Sequence, residues 1–141
     1  MIGAFFVALS CARNGLIDPG PGKRVEVFIA QDKYFAGDRV LFTVKNVSSL
    51  RLTYPYQFCK MELQEQQGTE WVTVLVPDGC PLALAFLDRG SSVSQEYVLP
   101  VDLPQNAYRI SMPMPIPNGA TVSDVRLTTP PFLVAPNVLL R

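Results

Sequence analysis

The side chains able to do chemistry are few here, and what is missing decides more than what is present. The chain has 141 residues, no histidine and three cysteines, Cys11, Cys59 and Cys80. Without imidazole there is no side chain whose ordinary pKa suits general base work near neutral pH. Ser–His and Cys–His nucleophile pairs are excluded. Zinc sites of the usual kinds need His or more Cys than remain. Asp32, Asp38, Asp78, Asp88 and Asp102 each fall in a predicted turn, where Asp commonly bonds nearby backbone. No spacing pairs two carboxylates for acid–base catalysis or frames a calcium loop. The chain therefore reads as non-catalytic, with no metal and no cofactor expected.

Residues suited to contact are easier to find. Met112, Pro113, Met114, Pro115, Ile116 and Pro117 run into Asn118-Gly119. Three alternating prolines cannot sit in a central paired strand. The segment is thus an edge, a polyproline stretch or a loop, and a preorganised apolar loop binds a partner at low entropy cost. The competing reading is that its apolar side chains cover an open end of the core. Tyr54, Tyr56 and Phe58 share one face of a predicted strand. Exposed, such a row would bind sugar rings or a partner; buried, it is half a core. Trp71 is read as core or sheet cover rather than a ligand platform. Asn46-Val47-Ser48 matches a glycosylation sequon.

Twelve basic and twelve acidic residues cancel, and no stretch concentrates Lys or Arg. Nucleic-acid binding relies on a basic face, so no nucleic-acid partner is expected. Hydrophobic residues make up 48% of the chain and charged residues only 17%, which excludes a disordered chain.

Stepping along the chain, Ile2 to Leu9 form an apolar run of signal-peptide length, too short to span a bilayer. Ser10, Cys11 and Ala12 follow. This resembles the end of a bacterial lipoprotein signal, in which a cysteine after small residues is lipidated and becomes the mature N-terminus. Ala8 stands where Leu is commonest, and no Lys or Arg forms a positive n-region. The resemblance implies a signal peptide over residues 1–10, lipidation at Cys11 and a membrane partner through that anchor. Residues 11–23, rich in Gly and Pro, have linker composition. The lack of Asp after Cys11 favours the outer membrane if the cell has two. With Cys11 occupied, Cys59 and Cys80 remain as an even pair, which in an oxidising compartment forms a disulfide. Such a bridge closes a loop of about 22 residues, for ~3 kcal/mol. The alternative is two buried free thiols.

From Arg24 onward the pattern is of short strands. Val25, Val27 and Ile29 alternate with Glu26 and Phe28, and Val40, Phe42 and Val44 alternate with Leu41 and Thr43. Residues 34–38 read as a turn, with Gly37-Asp38 suited to a positive φ or an Asx turn. Over Leu52 to Gln64 the apolar phase slips by one near Phe58, which predicts a bulge or a strand that changes sheets. Further strands are predicted at Trp71 to Val76, Ser92 to Leu99, Tyr108 to Met112, Val122 to Thr128 and Phe132 to Val134, with residues 82–87 left open between a turn and a strand. The count is about seven antiparallel strands, as in a two-sheet sandwich over residues 24–134, followed by a tail at 135–141.

Three stretches carry a family resemblance: VEVFIAQDKYFAGDRVLFTVKN, the hairpin with Gly68 and Trp71, and Leu103 to Ile110 with its Ala-Tyr-Arg. Together they resemble the immunoglobulin-like or fibronectin-III-like domains of exported bacterial lipoproteins. That resemblance implies an all-β, immunoglobulin-like sandwich in which Tyr108 forms a tyrosine corner. The function it implies is a non-catalytic binding or structural module of the cell envelope, on its periplasmic or surface face, with an envelope protein partner. The alternative is a secreted protease-inhibitor-like domain presenting Met112 to Gly119.

Overall fold

The computed structural model describes residues 24–76, 79–80, 83–120 and 125–136. The expected signal peptide, Cys11, the linker and residues 137–141 of the tail lie outside them. The described residues form twelve strands: β1 (Val25–Ile29), β2 (Lys33–Phe35), β3 (Arg39–Asn46), β4 (Leu52–Pro55), β5 (Glu62–Gln67), β6 (Glu70–Leu75), β7 (Leu84–Leu87), β8 (Ser92–Val98), β9 (Asn106–Pro113), β10 (Ile116–Pro117), β11 (Arg126–Thr128) and β12 (Phe132–Ala135). A 3-10 turn, Tyr56–Phe58, separates β4 from β5.

The strands follow the alternation of the sequence. In β3, Val40, Phe42 and Val44 are fully buried while Leu41 between them is 42% exposed. In β9, Tyr108, Ile110 and Met112 point inward in the same way. Two main sheets result. One has the order β1-β3-β8. The other runs β2-β12-β9-β5-β6, with β11 also on β9. These orders match the A-B-E and G-F-C-C′ sheets of an immunoglobulin-like sandwich. The chain is therefore an all-β, immunoglobulin-like sandwich. Side chains from both sheets meet in one core: Phe42 and Phe58 edge to face at 6.0 Å, and Tyr34 and Phe132 likewise at 5.3 Å.

The strand count rises above seven because several predicted elements are divided. The predicted turn at residues 34–38 begins with a strand, β2, which leaves the first sheet and pairs with β12 in parallel, the other strand pairs being antiparallel. Burial of Tyr34 drives that switch. The turn proper then follows as read: Gly37 has φ +90, and the Asp38 carboxylate accepts the Phe35 amide at 2.8 Å. The long predicted strand from Leu52 splits into β4 and β5 at the phase slip, so the strand does change sheets. β4 joins a third, small sheet of order β10-β4-β7.

Tyr108 forms the expected corner. Its hydroxyl donates to the Pro104 carbonyl at 2.6 Å, four residues upstream, with the Glu65 carboxylate also at 3.1 Å.

Candidate functional site

The crossing from β4 to β5 is abrupt. Pro55 is extended, and Gln57, Phe58 and Lys60 then take positive φ values of 58, 48 and 71. Left-handed backbone is costly for such residues. What offsets it is Phe58, which is fully buried, stacks on Tyr54 with ring centroids 4.4 Å apart and meets Phe42. Burial of a Phe side chain contributes ~2–3 kcal/mol.

The small sheet carries the candidate site. β4 pairs with β7 in the register Leu52–Leu87, Thr53–Phe86, Tyr54–Ala85 and Pro55–Leu84. The Tyr56 amide donates to the Ala83 carbonyl at 2.9 Å. Antiparallel pairs alternate between bonded and non-bonded, so Tyr54–Ala85 is a bonded pair and Pro55–Leu84 a non-bonded one. That is where a proline, lacking an N–H, fits without loss. It also follows that the N–H and C=O groups of Leu84 and Phe86 point away from β4. Among the described residues β7 pairs with β4 alone, so this edge is open.

The same two residues carry exposed side chains, Leu84 at 70% and Phe86 at 50%. Beside them lies a groove of about 410 Å³ whose walls include Thr53, Pro55, Leu84, Phe86, Met114 and Ile116. Among the described residues no charged one lines it. Its rim is charged at one end, where the Arg51 guanidinium lies 3.9 Å from the Phe86 ring centre and pairs with Asp88 at 3.0 Å. Tyr54, at the groove wall, has its pKa raised by burial first and by neighbouring Tyr56 second.

The residues singled out from sequence fare differently. Cys59 and Cys80 are joined as a disulfide with Cα atoms 5.6 Å apart. Cys11 lies outside the described residues. Of the segment proposed as a binding loop, Met112 and Pro113 belong to β9, and Met112 is fully buried. Met114 is 8% exposed and Pro115 is buried. Ile116 and Pro117 form β10 on the edge of β4. The correction has a simple cause: the apolar side chains are worth more in the core than in water, and an edge strand tolerates the prolines. Met114 and Ile116 of the segment form a wall of the groove, and Asn118 and Gly119 at its end are exposed.

The aromatic row divides as well. Tyr54 and Phe58 are core, while Tyr56, at the 3-10 turn, is 50% exposed. Trp71 is half-buried on the outer face of the larger sheet, with the Arg109 guanidinium 4.6 Å from its ring centre. Arg109 is held there by donating to Gln64 at 2.7 Å. Trp71 is thus sheet cover, with a cation over its ring.

The sequon asparagine is a structural knot. Asn46 is fully buried. Its Nδ2 donates to the carbonyls of Leu50 at 2.7 Å and Leu87 at 3.0 Å, and its Oδ1 accepts from the Ser48 amide and hydroxyl. All four hydrogen-bonding positions of the amide are filled, so no face remains for a glycan. The bond to Leu87 fixes the end of β7 against β3. Sequence reasoning missed both this role and the open edge of β7; the first had a signal in the polar Asn46 closing an apolar strand.

Among the described residues no group of three or more His, Cys, Asp or Glu is placed to hold a metal ion. No helix among them is long and apolar enough to cross a membrane. No protein-family model matches the chain, and no curated protein matches it. Among solved structures it is similar to Spo0M, a sporulation control protein from Bacillus subtilis, with 15% identity and a TM-score of 0.44. The match covers 81% of this chain and 49% of that one, so this chain spans about half its length.

Proposed function

We propose that this chain is a non-catalytic binding module of the cell envelope, tethered through a lipidated Cys11, which takes an extended segment of a partner polypeptide along β7. The observation that carries the binding reading is the open edge at Leu84 and Phe86 beside the apolar groove. An added strand would use the free backbone groups for affinity and set alternate side chains against the groove for specificity. The uncharged lining favours a segment with apolar residues at alternate positions, because a charge buried there would lack a partner. β7 itself has no Lys or Pro of the kind that blunts an edge against pairing. The export signal read at residues 1–10, and a chain without imidazole, support an envelope module without catalysis.

The test is selection of short peptides from a display library on the folded domain. Sequences with alternating apolar residues are expected, and Phe86→Glu should lower their affinity by about tenfold or more. Leu41→Glu, on an exposed position of β3, should leave it unchanged. Selected peptides indifferent to Phe86→Glu would place binding elsewhere and overturn the groove reading.

A further inference from the structure

The larger sheet ends in another open edge, β6, which among the described residues pairs with β5 alone. Which of its backbone groups are free follows from its neighbours. The Gln66 carbonyl accepts from the Asn106 side chain on β9, so Gln66 faces away from β6. The Ile110 amide and carbonyl both bond Thr129, so Leu63, paired with Ile110, does not bond there and faces β6. Bonding direction alternates along a strand, so Gln64 faces away from β6 as Gln66 does. Trp71 stands opposite Gln66 and Thr73 opposite Gln64. Their N–H and C=O groups therefore point outward, while those of Glu70 and Val72 turn towards β5. The register then shifts, leaving Val74 as a bulge before Leu75 pairs with Leu63.

We infer that β6 pairs antiparallel with β6 of a second copy, about a twofold axis at Val72, and so joins two larger sheets into one. This register sets Trp71 opposite Thr73 of the other copy, and Thr73 opposite its Trp71. Each pair exchanges two N–H···O=C bonds, which uses every outward group of Trp71 and Thr73 in both copies. Centring on Thr73 would ask Leu75, which faces β5, to bond Trp71. Centring on Trp71 would carry Thr73 against Thr69 in the hairpin turn. Trp71, beside Arg109, and Thr73, bonded to Glu62, lie on one face. Each indole would thus meet a β-branched side chain, a favourable cross-strand pair.

Charge makes a copy of this chain the fitting occupant. Glu70 opens the strand, and two cations lie by its other end. Lys60 lines a cleft with Leu75 and Val76, and Arg126 donates to the Lys60 carbonyl at 2.9 Å. Glu62, also at that end, is engaged by the Thr73 hydroxyl. Antiparallel pairing brings Glu70 of each copy towards the cationic end of the other. A parallel pairing would set Glu70 beside Glu70, and like charges there destabilise. β6 has no Lys or Pro of the kind that blunts an edge, and Val74, Leu75 and Val76 are exposed. The bulge keeps the ladder short, below the interface of about 1,200 Å² at which stable complexes begin, so the dimer is weak.

The experiment is sedimentation of the full chain from about 10 µM to about 1 mM, with a dimer Kd of about 100 µM expected. Thr73→Pro removes an N–H that the single chain leaves unused, so it should weaken the dimer by about tenfold or more while sparing the β5–β6 pairing. Should that variant not fold, Val72→Lys carries the test: its ammonium faces Glu65 within one chain and its own copy across the twofold, with the same loss expected. Glu70→Lys and Lys60→Glu should each weaken association, and the double variant should restore it. A chain monomeric to about 1 mM would overturn the inference. So would a dimer indifferent to the β6 variants, or charge variants whose losses add without rescue. Peptide binding at β7 plays no part in this measurement, so either reading can fail alone.

Discussion

One hydroxyl ties the larger sheet to the loop that enters it. Tyr108 has a single proton to give, and the shorter contact sends it to Pro104, leaving the Glu65 carboxylate as a second acceptor. Burial, and then Glu65, raise the Tyr108 pKa above its ordinary 10.0. The neutral phenol is therefore favoured in the folded state. Its contribution is present in full below pH 10.0 and is lost as pH rises through the folded value. Tyr108→Phe should cost ~1–2 kcal/mol at neutral pH. It should also flatten the alkaline loss of stability. Urea midpoints measured from neutral to strongly alkaline pH check both, and an unchanged alkaline slope would refute the role given to the phenol. Asn46 makes the opposite point about single residues. Its sequence context suggests a modified surface, and its fully buried, fully bonded amide makes it part of the frame.

The β4–corner–β5 segment is where local pattern and tertiary demand meet. The phase slip near Phe58 is legible in the sequence because inward residues change parity there, from Tyr54 and Phe58 to Leu63. That parity marks a change of sheet but not where the departing strand goes. β4 pairs with β10 on one side and on the other with β7, drawn from a stretch that sequence leaves open between a turn and a strand. Four residues are too few for a period to declare itself, and β7 is held by its pairing with β4, by the buried Leu87 and by the Asn46 amide on the Leu87 carbonyl. Breaking the bridge at either end removes the same constraint. Cys59→Ser and Cys80→Ser should each lower stability by ~3 kcal/mol, and the double variant by no more than either single. Additive losses in chemical denaturation would mean that the two sulfurs act apart.

At the scale of the whole molecule, side chains of the two main sheets share one core, and the proposed partner would meet the small sheet at its open edge. An anchor at Cys11, followed by a short Gly- and Pro-containing linker, would hold the sandwich close to a membrane. A lipidated cysteine carrying more than one acyl chain holds stably, whereas a single chain does not. The expected intact mass of protein extracted from native membranes is that of a chain lacking residues 1–10 with a lipid adduct on Cys11. An unprocessed mass would remove the anchor and the envelope location together, and would leave the groove standing as a feature of the fold.

The sequence by itself determined the class of the fold and the chemistries closed to it. Alternation in β3 and β9, the Gly37-Asp38 turn and the Tyr108 corner are local or near-local, so the residues that make them also announce them. The absence of His needs no structure to be read. The tertiary structure decided what the prolines and the cysteines do. Met112 and Met114 are core, because burial is settled by what packs across the sheet. Cys59 and Cys80 form a disulfide, because the fold brings the corner after β4 close to the segment that precedes β7. The open edge at Leu84 and Phe86 is likewise a property of which strand found no neighbour, and no single segment carries that information.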